Sequence, residues 1–194
     1  SDALDALRKL PDSCCRTCIT SPPYYGLRDY GADGQIGLED TPDRYIENLV
    51  RIFREVRRVL KDDGTLWVNI GDSYAASGKG RNRDGVFNEK AENIQSARQK
   101  KSQIRRTTEG NGLKRKDLIG IPWLLAFALR ADGWYLRSDI IWQKPNAMPE
   151  SVKDRPTRAH EYIFLLSKSS RYYYDAEAVK EPAVGFYNAA PAGS

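Results

Sequence analysis

The chain has 194 residues, enough to bury one good core, so its length implies a single domain with room for an extension. It holds no apolar run long enough to span a bilayer and no basic-then-apolar leader, the composition expected of a soluble, unexported, cytoplasmic protein. The formal charge of +5 is unevenly spread: between Lys79 and Lys116 twelve Lys/Arg face four Asp/Glu, a local +8 that leaves −3 for the rest and points to a polyanionic partner for that segment.

In chain order, Ala3, Leu4, Leu7 and Leu10 have helical spacing and predict a short helix before Pro11, with Asp2 placed to cap its start. Cys14 to Ile19 is a short, mostly apolar run bounded by breakers and reads as a buried strand. Its three cysteines, Cys14, Cys15 and Cys18, include one C-x-x-C. With no second pair and the only histidine, His160, far away in sequence, they are read as buried strand cysteines and no metal is expected. At the end of this strand stands Thr20-Ser21-Pro22-Pro23-Tyr24. Open α/β sheets bind ligands at the C-terminal ends of their strands, which makes this the first site candidate. The two prolines fix φ and lack N–H groups, so the turn is stiff and its carbonyls escape a helical ladder. Ser21 adds a hydroxyl acceptor and Tyr24 a flat amphipathic ring, a set suited to gripping a planar group with an exocyclic amine, such as a nucleobase.

Thr41-Pro42 signals a helix start, and Tyr45, Ile46, Leu49, Val50, Phe53, Val56 and Leu60 form one face of a helix expected to end at Asp63-Gly64 and to serve core packing only. Thr65 to Ile70 predicts a second strand whose tip, Gly71-Asp72-Ser73, reaches the same sheet edge. Asn69, Asp72 and Ser73 there are open to two readings, pocket lining or turn chemistry. Residues 75–117 lack hydrophobic periodicity and read as a mobile basic insertion, in which Arg105, Arg106, Lys114, Arg115 and Lys116 are the candidates for contact with a nucleic-acid backbone. Apolar residues from Leu118 to Leu129 predict a helix that stops near Asp132-Gly133. Strands at Trp134–Gln143 and Ala159–Ser167 flank a proline-containing loop and suggest an antiparallel hairpin at the sheet's edge. For His160 a hydrogen-bonding role at the strand start is favoured over catalysis, and Tyr172-Tyr173-Tyr174 reads as a final short strand.

The Ser-Pro-Pro-Tyr motif, with Gly26-Leu27-Arg28-Asp29-Tyr30-Gly31, the block Asp63 to Tyr74 and the block His160 to Leu166, resembles the amino-methylating DNA methyltransferases of the cytosine-N4 and adenine-N6 type. The resemblance covers most of the chain and implies an α/β, Rossmann-like methyltransferase fold, a mostly parallel sheet with an antiparallel edge hairpin. It also implies S-adenosylmethionine as cofactor, with Asp2, Thr20, Asn69, Asp72 and Ser73 near it, and Ser21, Pro22, Pro23 and Tyr24 as the catalytic set. The partner implied is double-stranded DNA, with a possible cognate restriction endonuclease, in a bacterial, archaeal or phage setting. The serine form favours cytosine-N4. Adenine-N6 transfer and a non-catalytic nucleic-acid-binding module of the same fold remain alternatives. The family's Gly-rich cofactor loop, of the type Phe-x-Gly-x-Gly-Thr, is not found before Ser194; in the class that begins with the catalytic block it lies C-terminal to that block.

Overall fold

The computed structural model describes residues 2–75 and 112–181, so the expected mobile insertion, its two ends excepted, lies outside the described residues. Helix α1 (Ala3–Arg8) is capped by Asp2, whose carboxylate accepts from the Leu4 amide at 2.7 Å. Strand β1 (Cys15–Thr20) leads to the Ser-Pro-Pro-Tyr turn. Helix α2 (Pro42–Val59) starts as read: the Thr41 hydroxyl accepts from the Arg44 amide and proline occupies the first turn. Strand β2 (Leu60–Ile70), helix α3 (Ile121–Ala131), β3 (Tyr135–Gln143) and β4 (His160–Ser167) complete the described elements.

The sheet order is β1-β2-β4-β3. Strands β1 and β2 are parallel, while β4 runs antiparallel to both β2 and β3, so β1, β2 and β3 share one direction and β4 is reversed between β2 and β3. This is the expected mixed α/β sheet with its late hairpin. Tyr45, Ile46, Leu49, Phe53 and Val56 of α2 join Ile121, Leu125 and Leu129 of α3 over Leu66, Val68, Ile70, Phe164 and Leu166 of the central strands. Burial of such side chains, about 1.5–3 kcal/mol each, is what holds the helix pair against the sheet. Arg54 binds Asp132 through two nitrogens and ties α2 to the end of α3.

Three expectations are corrected. The first strand is not buried: Ile19 is 77% exposed and Cys14 is exposed, because among the described residues β1 is an edge strand paired only with β2. The long helix ends before Asp63-Gly64, since Leu60 turns to extended backbone and pairs with Cys15. A β-carbon on Gly64 would come within 2.8 Å of the Lys61 carbonyl and 3.1 Å of the Arg16 carbonyl, so this irregular stretch of β2 needs glycine. Tyr172 to Tyr174 form no strand. Instead Arg137 lies over the Tyr172 ring and Arg16 over the Tyr173 ring, with the Tyr173 amide bonded to the Asp63 carbonyl. No described helix is long and apolar enough to cross a membrane.

Candidate active site at the strand tips

The Ser-Pro-Pro-Tyr turn leaves β1 beside the C-terminal end of β2, where Thr20 pairs with Val68 and Asn69 and Ile70 follow. Several elements immobilise it. The hydroxyl of Tyr45, fully buried on α2, donates to the Pro23 carbonyl at 2.7 Å, and burial pushes that phenol far above its ordinary value. Gly37, at φ +100°, closes the loop beneath the motif: its carbonyl accepts from the Gly26 amide, and a β-carbon there would meet the Tyr24 carbonyl at 3.0 Å. Helix α2, read from sequence as packing alone, therefore also fixes the turn. Among the described residues nothing donates to the Pro22 carbonyl, which, with the exposed Ser21 hydroxyl, is the acceptor left over.

The Tyr24 ring lies against Gly71, where a β-carbon would stand 2.5 Å from Cε2 and 2.8 Å from Cδ2. Its hydroxyl shares one proton between Asn69 Oδ1 and Glu161 Oε2, each 2.9 Å away. Asn69 also donates to the Tyr162 carbonyl at 3.2 Å and accepts, more loosely, from Ser21 Oγ at 3.4 Å. The other oxygen of Glu161 is paired with Lys144 across the β3–β4 hairpin. Burial raises the Tyr24 phenol; the Ser21 hydroxyl opposes that rise and the Glu161 carboxylate reinforces it. Burial also acts to raise the Glu161 carboxyl, but Lys144, Tyr24 and Asn69 bond its charged form, and the balance lies below the ordinary carboxylate range. Glu161 and Lys144 were not singled out from sequence. The available signal was an acid at the start of the apolar run Tyr162 to Leu166.

The remaining expected residues are distributed as follows. The Asp72 side chain is almost completely buried and accepts from the Gly120, Ile121 and Ser73 amides, all at 2.9 Å, with Arg158 at 3.8 Å. It caps α3, whose own N-cap residue, Gly120, has no side chain to do so. The Ser73 hydroxyl donates to the Tyr25 carbonyl. Asp2 caps α1 and has no bond to the motif. Only Thr20, of the five residues expected near a cofactor, has no side-chain bond among the described residues.

Arg105 and Arg106 lie outside the described residues. Lys114 and Arg115 are exposed without an ion pair among those residues, and Lys116 is paired with Asp154. The ends of the insertion meet: Ala75 and Asp117 bond at 2.8 Å, Ile119 and Ser73 at 2.9 Å, and Tyr74 bridges Leu118. Arg155 lies over the Tyr74 ring at 4.0 Å. The stretch that holds Lys114 and Arg115 is thereby tied to the residues that follow β2. His160 opens β4 as read, but in place of the hydrogen bond expected there its ring meets Tyr162 edge-on. Burial pushes the Cys18 thiol up, away from the thiolate a nucleophile needs, and among the described residues no cluster could hold a metal.

A family model for DNA methylases of the N6/N4 type matches residues 15–185. The Type II methyltransferase M.Cfr9I of Citrobacter freundii is 58% identical over 184 residues, covering 93% of this chain and 57% of that protein. M.SmaI of Serratia marcescens is 57% identical over 183 residues, covering 94% and 59%. The chain thus spans less than two thirds of the length of these curated relatives. Among solved structures, the cytosine-N4-specific PvuII DNA methyltransferase superposes with a TM-score of 0.61 at 16% identity, covering 92% of this chain and 51% of that one. A putative DNA modification methylase of Thermus thermophilus, complexed with S-adenosyl-L-methionine, gives 0.55 at 21% identity, covering 92% and 55%. These two likenesses establish the Rossmann-like fold of S-adenosylmethionine-dependent methyltransferases. Matched by the family model from residue 15 to residue 185, and by relatives more than half identical over nearly its whole length, the chain belongs to the N6/N4 DNA methylase family.

Proposed function

We propose that this protein methylates the exocyclic amine of a base flipped out of duplex DNA, with cytosine N4 as the acceptor. The observation that carries the reading is the division of labour within one turn: the Pro23 carbonyl is occupied by Tyr45, whereas the Pro22 carbonyl and the Ser21 hydroxyl are open acceptors at the strand tip. A base amine is a weak nucleophile because its lone pair is delocalised into the ring. Two acceptors on its two hydrogens draw the nitrogen towards tetrahedral geometry and return that pair to it. Ser21 serves this best when its own proton points to Asn69 Oδ1, leaving its lone pairs for the amine. Tyr24 offers a ring for the extruded base to stack on, and extrusion is required because a duplex hides the amine. The serine form of the motif supports cytosine over adenine.

S-adenosylmethionine, the donor the family implies, supplies an electrophilic methyl carbon. Of the five side chains expected near it, Asp2, Asn69, Asp72 and Ser73 make internal bonds that fix their positions, and Thr20 at the end of β1 is left without one among the described residues. The duplex is bound through the basic segment, whose Lys114 and Arg115 are exposed without an ion pair among the described residues. Residues 1–194 belong to one methyltransferase catalytic domain, in which the family's Gly-rich cofactor loop is not found, and the relatives' designation as Type II methyltransferases supports a place beside a cognate endonuclease in a bacterial cytoplasm.

The test is to incubate the full-length protein with unmethylated duplex DNA and the methyl donor, digest the DNA and analyse nucleosides by mass spectrometry. N4-methylcytosine is expected, and Ser21→Ala should lower its rate of formation about 10²-fold, as loss of one preorganised polar group does. N6-methyladenine alone would overturn the choice of base, and no methylated base would overturn the function.

A further inference from the structure

We infer that Glu161 is a positioning residue for Tyr24, holding the ring ready for the base. The inference rests on the reading of Tyr24 as the stacking residue. The Glu161 carboxylate accepts the Tyr24 hydroxyl at 2.9 Å, and its other oxygen is held by Lys144, the residue just after β3. Lys144 is itself fixed, its amide bonded to the Ala159 carbonyl at 2.8 Å where the hairpin closes. Glu161 is paired in register with Trp142, and its side chain is only 18% exposed, so the carboxylate reaches Tyr24 from a rigid strand. An acid in a mostly buried position is unfavourable unless its oxygens are satisfied, and both are, one by a cation and one by the motif's tyrosine.

The consequence concerns the Tyr24 ring. Gly71 leaves room for it on one side but does not fix its rotation. The hydroxyl anchored at Asn69 and Glu161 does. A ring already held in its stacking orientation loses no rotamer freedom when a base arrives, and the base is presented to the Ser21 and Pro22 acceptors in one register. Glu161 touches neither the base nor the donor in this scheme and acts only through Tyr24.

A double-mutant cycle in the full-length protein tests this, with Tyr24→Phe, Glu161→Ala and their combination, read by single-turnover methylation of duplex DNA and by urea denaturation. Tyr24→Phe and Glu161→Ala should each lower the single-turnover rate about tenfold to a hundredfold, the scale of a small misplacement of a reacting group, with KM little changed. The combined variant should be no slower, and no less stable, than the worse single one. Glu161→Gln keeps an acceptor for the phenol but loses the charge facing Lys144, and should restore most of the rate. If Glu161 serves only to hold the hairpin, the two substitutions will add in both readouts and Gln will behave like Ala; either result overturns the inference. A parent that transfers no methyl group would sink the functional reading instead, and the coupling seen in denaturation would then decide the inference alone.

Discussion

Gly71→Ala places a methyl group against the tyrosine of the motif. The backbone of Gly71 is not in the left-handed region that only glycine favours, so the substitution acts through space and not through strain. The new carbon would stand 2.5 Å from Tyr24 Cε2, 2.8 Å from Cδ2 and 3.3 Å from Cζ. Carbon atoms settle at about 3.5–4.0 Å, so the ring must retreat by about 1 Å. A shift of that size along its bonds stretches the hydroxyl contacts to Asn69 and Glu161 from 2.9 Å to about 3.9 Å, outside hydrogen-bonding range. Overpacking of this kind destabilises by about 1–3 kcal/mol, and a reacting partner misplaced by about 1 Å loses about 10²-fold in rate. Single-turnover methylation and urea denaturation read the two effects. The control is Tyr24→Ala, which removes the obstructing ring: adding Gly71→Ala to it should change neither rate nor midpoint further. An alanine variant with the parent's rate, or one that harms the Tyr24→Ala background as much as the parent, would refute the account of the ring contact.

Two further outcomes follow from the geometry. Asp72→Ala removes the buried cap of α3 and strands Arg158, for a loss of about 2–4 kcal/mol in denaturation; if instead only affinity for the methyl donor fell and the midpoint held, Asp72 would belong to the cofactor. Replacing Arg105, Arg106, Lys114, Arg115 and Lys116 with glutamine should flatten the slope of log K for DNA against log salt by about 3–4 units, at about 0.9 per phosphate contact and with Lys116 contributing least because Asp154 pairs it; an unchanged slope would make the run a solvated face.

What the sequence disclosed depended on how far apart the partners lie in the chain. The start of α2, the second strand tip and the β3–β4 hairpin are local patterns of capping, alternation and breakers, and they appear where they were read. The exposure of β1 was not legible, because an edge strand and a central one are told apart by neighbours and not by their own residues. The early end of α2 was masked for a similar reason: Leu60 continues the helical apolar stripe, yet the sheet claims it. Asp72 was read within its own Gly-Asp-Ser turn, while the helix it caps begins 49 residues later. The clue was Gly120 at the head of an apolar helix, a cap position with no capping side chain, which required an acceptor from elsewhere in the chain.

The same distinction explains the site. Ser21, Pro22, Pro23 and Tyr24 are consecutive, so the candidate group could be read as one word, but the atoms that make it rigid come from α2, the tip of β2 and the start of β4. Proline fixes the backbone from within, Tyr45 takes the Pro23 carbonyl, Gly71 admits the ring, and Asn69 with Glu161 takes the hydroxyl. With those valences filled, the Pro22 carbonyl and the lone pairs of the Ser21 hydroxyl are among the acceptors that nothing in the described residues occupies. Acceptors held in place before the substrate arrives need no reorganisation during the reaction, which is the condition under which a polar contact stabilises a transition state more than a ground state. On the proposed reading, the internal bonding of this turn leaves free the two acceptors that a base amine with two hydrogens requires.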